Sequence, residues 1–261
     1  MAEVFDAYWL GYQEPPGQTL EQTPDFIDYV TLFLAGPTEE STVTTAYLCK
    51  VYGEEQIRQW VNDVRARGTK VLLSFMDNES APWSNVNMDT FAASAKETLE
   101  EWELDGFDID AESGMPEEEF VPRFIALAEA LSSVLDGKTL TYTCYQGCNP
   151  GDNDYEILSE VKDLVSWVQL MAYWDQPGTY KRLFEEYAGV VGNEKVAFGV
   201  KCGCEGNEES TLLETVKELA AWDPVDSSKA GMMMFGTNRD NTEFTTQPDW
   251  TYAKTIHKYL G

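Results

Sequence analysis

Three observations on the 261-residue sequence predict its fold class. Strand-like runs alternate with amphipathic helical runs from end to end, the strands number eight, and no linker, internal repeat or low-complexity segment interrupts them. Alternation of this count and length predicts an α/β chain folded as a single (β/α)8 TIM barrel over residues 1–261. A doubly wound open sheet would share the alternation. Against it, no Gly-x-Gly-x-x-Gly follows an early strand and no Walker phosphate loop occurs.

The elements follow in order. Residues 4–9 read as a first strand, and a Pro/Gly-rich loop runs on through Pro24. Residues 26–34 are almost wholly apolar, as parallel strands buried on both faces are. Residues 54–67 carry Ile57, Trp60, Val61 and Val64 at helical spacing, with Gly68 as the stop. Residues 70–75 form the third strand. Asp89 is expected to cap the next helix, whose apolar face is Phe91, Ala95, Leu99 and Trp102. Residues 104–112 alternate with period two and form the fourth strand. Pro116 and the acids Glu117, Glu118 and Glu119 open a helix that ends at Gly137, with negative charge at the positive end of its dipole. Strands follow at 139–145, 164–173, 195–200 and 231–235, and helices at 154–161, 179–188, 210–222 and 248–260. Leu212, Leu213, Val216 and Leu219 form the expected buried face of the helix at 210–222.

Composition narrows the chemistry. The net charge is −28, with 46 acidic against 18 basic residues. No basic patch could neutralise phosphates, so neither nucleic acid nor an anionic membrane is an expected partner. No apolar run reaches the length of a membrane span. The N-terminus carries neither a basic nor an apolar signal region, so the protein is expected to be cytoplasmic, or secreted or periplasmic if a leader has been removed ahead of Met1. The single histidine, His257, disfavours Ser-His-Asp, Cys-His and multi-histidine zinc chemistry. Cys49, Cys144, Cys148, Cys202 and Cys204 are odd in number and read as free thiols serving as small hydrophobes, although the 144/148 and 202/204 pairs could together hold a soft metal. Carboxylates and tyrosines are left for acid–base work.

The stretch Leu104-Asp105-Gly106-Phe107-Asp108-Ile109-Asp110-Ala111-Glu112 concentrates those carboxylates. On a strand, Asp108, Asp110 and Glu112 share one face and Phe107, Ile109 and Ala111 the other. Three adjacent carboxylates cannot all ionise cheaply, so a proton is retained, as a general acid requires. A solvated acidic edge or a hard-cation site would use the same residues. In a barrel, active sites form at the carboxyl ends of the strands. Those ends also offer Tyr8 and Trp9, Ser74 with Asp77 and Asn78, Tyr145 with Gln146, then Gln169, Met171, Tyr173, Trp174 and Asp175, and finally Phe235 and Asn238. Aromatics interleaved with amides and carboxylates suit sugar rings. Phe33 and Phe75 are expected simply to fill the core.

The segment Asp105–Glu112 resembles the D-G-x-D-x-D-x-E signature of glycoside hydrolase family 18. Lys70-Val71-Leu72-Leu73-Ser74 and Gln169-Leu170-Met171-Ala172-Tyr173 are similar to that family's third and sixth strands, and the likeness spans the chain. Thr45-Ala46-Tyr47-Leu48 and Ser74-Phe75-Met76-Asp77-Asn78 look most like the single-domain endo-β-N-acetylglucosaminidases. Met76-Asp77, Ala111, Trp174 and Phe235 depart from the chitinase pattern of Gly-Gly, Trp, Asp and Trp. The interval between strands seven and eight is too short for the extra α+β domain that deepens a chitinase cleft.

The resemblance implies retaining, substrate-assisted hydrolysis of the β-1,4 linkage between N-acetylglucosamines. In that scheme Glu112 is acid and base, Asp110 orients the 2-acetamido group, Asp108 supports Asp110, and Tyr173 donates to the acetamido oxygen. Tyr8, Trp9, Ser74, Asn78, Tyr145, Gln146, Gln169, Met171, Trp174, Phe235 and Asn238 are the expected substrate contacts. No cofactor or metal is implied, the partner is an N-acetylglucosamine-containing glycan or glycoprotein, and a monomer is expected. A chitinase and a non-catalytic lectin of the same family are the competing readings.

Overall fold

The computed structural model of the protein describes residues 3–145, 147–171, 173, 176–203 and 209–261. Eight parallel strands, β1 (Val4–Leu10), β2 (Tyr29–Pro37), β3 (Lys70–Phe75), β4 (Gly106–Asp110), β5 (Thr139–Cys144), β6 (Trp167–Leu170), β7 (Val196–Lys201) and β8 (Gly231–Phe235), pair in chain order. Pairing of β1 with both β2 and β8 closes the cylinder, so the expected (β/α)8 TIM barrel is what forms.

Helices α1 (Glu54–Ala66), α2 (Met88–Glu101), α3 (Glu117–Val134), α4 (Asn153–Val161), α5 (Pro177–Val191) and α6 (Leu213–Ala221) fill the crossovers after β2 to β7. The short α7 (Thr242–Thr245) and α8 (Thr251–Tyr259) follow β8. Between β1 and β2 there is only a single 3-10 turn, Leu20–Gln22, because Pro15, Pro16 and Gly17 leave no run long enough for a helix. A two-residue antiparallel ribbon, Val43–Thr44, extends the mouth beside β2.

Period-two alternation sorts each strand. Outward residues such as Phe75, Phe107, Ile109 and Phe198 join the large core beneath the helices. Inward residues form layers. Tyr29, Leu72, Trp167, Ala197 and Ala230 plug the base, and Tyr8, Phe33, Met171, Tyr173 and Met233 line the mouth. Gly106 is required at the start of β4, where a Cβ would collide with the Thr139 carbonyl of the neighbouring strand.

Some local expectations change. Asn87, not Asp89, caps α2, its side chain accepting from Thr90 N; Asp89 occupies the first turn, where its charge meets the dipole. Leu212 is 70% exposed rather than buried, because α6 begins one residue later. Strand β6 is shorter than the 164–173 run, since Leu164 closes a turn off α4. Among the described residues, no helix is long and apolar enough to cross a membrane. Cys49, Cys144 and Cys148 are free thiols, the last two buried; Cys202 is buried as well, and Cys204 lies outside the described residues.

Candidate active site

The acidic row occupies β4 in the expected parity. Asp108 and Asp110 point inward, 0% and 3% exposed, and Glu112 lies just beyond the strand end at the mouth. The register sets Asp108 beside Ser74 on β3 and Thr141 on β5, and Asp110 beside Thr143.

Three hydroxyls therefore converge on Asp108: Ser74 Oγ at 2.7 Å, Thr141 Oγ1 at 2.6 Å and Thr143 Oγ1 at 2.8 Å. Having donated its proton to Asp108, Thr143 accepts one from the Tyr8 hydroxyl at 2.7 Å, and Tyr8 accepts from Gln169 Nε2 at 3.2 Å. Every donor in this chain points toward Asp108. Burial raises Asp108 above the usual carboxylate range, but the hydroxyl bonds oppose that rise and favour the ionised form.

Asp110 has no such support. Its Oδ1 is buried without a hydrogen-bond partner, and burial, then Glu112, Asp108 and Asp77, push it well above the ordinary value. Tyr173 stands over the same pocket, its hydroxyl 3.6 Å from Met233 Sδ and its ring stacked on Phe235 at 6.1 Å.

Above this floor runs a groove with two lobes. One, about 680 Å³, is lined by Glu79, Pro82, Ser84, Ser113, Met115 and Tyr145, and the other, about 530 Å³, by Tyr12, Phe33, Leu34, Tyr47 and Phe235. Met76, Asp77, Asn78 and Glu112 border both lobes, so the candidate acid sits at their junction.

The remaining candidates separate by position. Tyr145, Phe235 and Asn78 line the groove, although Asn78 spends its amide on Pro37 O, Ser80 and Ala81 and acts as a loop clasp. Met171 packs in the mouth beside Tyr8. Ser74, Gln169 and Tyr8 are fully buried and belong to the polar floor rather than to a substrate surface.

Trp9 requires correction. It points out of the barrel, packs on Trp60 and Tyr52, and donates its indole N–H to Gln18 O at 3.1 Å. Its neighbour Tyr8 takes the inward position, and one strand cannot direct both inward. Asn238 is likewise no contact: it is 0% exposed, and its amide is committed to the Leu10 backbone N–H and carbonyl, pinning β8 to β1. Phe75 lies outside the barrel between Phe91 and Phe107, whereas Phe33 lines the aromatic lobe instead of only filling core. Gln146 and Trp174 lie outside the described residues.

Asp6 was missed, though it stands two residues before Tyr8 on the same face. Its carboxyl is 0% exposed, accepts from Thr31 Oγ1 at 3.0 Å and Gln169 Nε2 at 3.1 Å, and is pushed up to about 8 by burial and by Asp108. A carboxyl raised in the folded state favours folding below its unfolded value, and that contribution is lost as pH rises toward 8. Asp6→Asn should therefore raise Tm by about 5 °C at pH 8 and leave it nearly unchanged near pH 3.5. Melts at the two pH values check this. A variant no more stable at pH 8 would mean that the floor accommodates an ionised Asp6.

A barrel with carboxylates stepping up one strand into a two-lobed groove has the architecture of a glycoside hydrolase. Comparison with known proteins places it further. The model of the endo-β-N-acetylglucosaminidase EndoS TIM-barrel domain matches residues 9–234, and the chain belongs to this family, within glycoside hydrolase family 18. A search of curated proteins gives no match.

Solved structures share the fold at low identity. The endo-β-N-acetylglucosaminidase from Cordyceps militaris is 16% identical, with TM-score 0.75 over 100% of this chain and 92% of that one. A mutant of it was solved in complex with fucosyl-N-acetylglucosamine-Asn. A family 18 chitinase from Pseudoalteromonas aurantia is 16% identical, with TM-score 0.76 over 99% of this chain and 100% of that one. YKL-39, solved in the presence of chitooligosaccharides, is 14% identical, with TM-score 0.74 over 99% of each chain.

Proposed function

We propose that this glycoside hydrolase is an endo-β-N-acetylglucosaminidase that cuts between the two N-acetylglucosamines of an N-glycan core. The observation that carries the reading is the position of Glu112 at the junction of the two lobes, directly above the unpartnered Asp110. A glycosidic bond lying across that junction has glycan on one side and the protein-linked sugar on the other. Glu112 protonates the glycosidic oxygen. The substrate's own acetamido carbonyl attacks the anomeric carbon as the protonated sugar departs, giving an oxazolinium ion. Glu112 then takes a proton from the water that attacks the same carbon and opens the ring, with net retention. Asp110 receives the acetamido N–H and balances the developing positive charge. Tyr173 donates to the acetamido oxygen, and Phe235 supports the sugar face.

The crossover from Lys201 to Gly231 holds only α6 as regular structure among the described residues, which favours an open groove that admits a branched glycan. The competing chitinase reading needs the same acids, so the substrate decides. Incubation with a high-mannose glycoprotein should release glycan and leave a single N-acetylglucosamine on asparagine, read as a mass shift. Cleavage of a chitin oligosaccharide with the glycoprotein left intact would replace this reading by the chitinase. Binding without cleavage of either would make the protein a lectin.

A further inference from the structure

We propose that Asp77 is a positioning residue for Glu112, fixing the acid's backbone through Ser113 and holding a further negative charge against the acidic row. The proposal rests on Glu112 being the proton donor. Asp77 follows β3 by two residues and is 8% exposed. A single oxygen, Oδ2, accepts from Ser113 Oγ at 2.7 Å and from Trp83 N at 2.8 Å. Ser113 is the residue after Glu112, and its Oγ in turn accepts from Met115 N at 3.2 Å. One carboxylate oxygen thus ties the loop after β3 to the loop that carries the acid.

The anchor itself is braced. Arg123 of α3 donates to the carbonyls of Trp83, Ser84 and Val86, at 2.8 Å, 2.9 Å and 2.7 Å, so the turn that Asp77 grips is fixed from behind. Joining two loops would not require a charge, since a neutral amide oxygen accepts the same bonds and a buried carboxylate carries a desolvation cost. What the charge adds is its effect on the neighbours, because Asp77 is among the groups that oppose ionisation of Asp110.

The titratable and charged groups around it are Asp110 of β4 and Glu112 just beyond it, Glu79 on its own loop, Tyr145 after β5, Tyr12 and Tyr47 across the aromatic lobe, and Arg123 from α3. Arg123 spends its guanidinium on backbone carbonyls. Burial raises Asp77, but the bonds from Trp83 N and Ser113 Oγ oppose that rise and favour the ionised form, in which it is a negative neighbour of the row. A negative neighbour makes loss of a proton less favourable, so the acidic row holds its proton to higher pH.

Two variants separate the roles. Asp77→Asn keeps an acceptor and removes the charge, and Ser113→Ala keeps the charge and breaks the tie. With kcat and KM measured from pH 4 to 9, the alkaline limb of kcat/KM in Asp77→Asn should move down by about 0.5 pH unit. Ser113→Ala should lose about 5-fold in kcat at unchanged KM, with its limb where the wild type has it. Ser113→Thr, which keeps the hydroxyl, should recover most of that loss. A merely structural role would lower Tm and leave the limb in place. An unmoved limb in Asp77→Asn, or wild-type kcat in Ser113→Ala, overturns the proposal, and if Asp77→Asn fails to fold the serine pair decides alone. Glu112→Gln is the control: if it keeps its turnover, the reading of the acid fails, whatever the Asp77 variants do.

Discussion

Glu112→Gln should lower kcat for glycan hydrolysis by about 10³-fold while glycan affinity stays within about 3-fold. A carboxylic acid donates a proton and takes one back from water; an amide of the same shape does neither. The substitution is nearly isosteric, and Ser113, held by Asp77 and Met115, keeps the backbone in place, so the groove around Glu112 is preserved. The large loss in turnover with little loss in binding is the signature of an interaction made only in the transition state. Calorimetric titration with an uncleaved glycan, beside a discontinuous hydrolysis assay, measures both. Turnover within tenfold of wild type would remove Glu112 from the chemistry.

Asp110→Asn should slow hydrolysis by about 10²-fold but slow consumption of a preformed sugar oxazoline far less. The asymmetry comes from when the charge is needed. Forming the oxazolinium ion places positive charge beside Asp110, and the carboxyl's unpartnered Oδ1 is free to take the acetamido N–H. A donor that arrives as an oxazoline has already passed that step.

The same substitution should raise stability at neutral pH, because burial and three neighbouring acids hold Asp110 well above the usual carboxylate range. Its contribution to folding is present below the unfolded value and lost as pH rises, so the gain in Tm should be clear at pH 7 and fade toward pH 3.5. Equal losses on the two donors would show that Asp110 matters for something other than ring formation.

Much of this site was legible in the sequence because period two is a strong constraint. The parity of Asp108 and Asp110 follows from one strand's alternation, and the register of parallel neighbours then brings Ser74, Thr141 and Thr143 to Asp108. The same rule, applied to β1, excludes Trp9 once Tyr8 faces inward and points to Asp6 two residues earlier. What the sequence could not show were pairings between distant loops. Asn238 is spoken for by Leu10, 228 residues away, and Asp77 by Ser113, 36 residues away. Local composition cannot distinguish an amide aimed at sugar from one bound to backbone. Leu212 misled for a simpler reason: helical spacing continues past the point where the helix begins.

The closure of β1 against β8 has a consequence for how the floor of the groove forms. Asp6 and Tyr8 lie on the first barrel strand, and the strand beside them, Gly231–Phe235, together with the Asn238 clasp on Leu10, comes from the last. The floor is therefore sealed only by a pairing that spans the whole barrel in sequence, and it cannot be assembled from local contacts alone. A chain that has made only its first seven strands carries the acidic row on an open sheet.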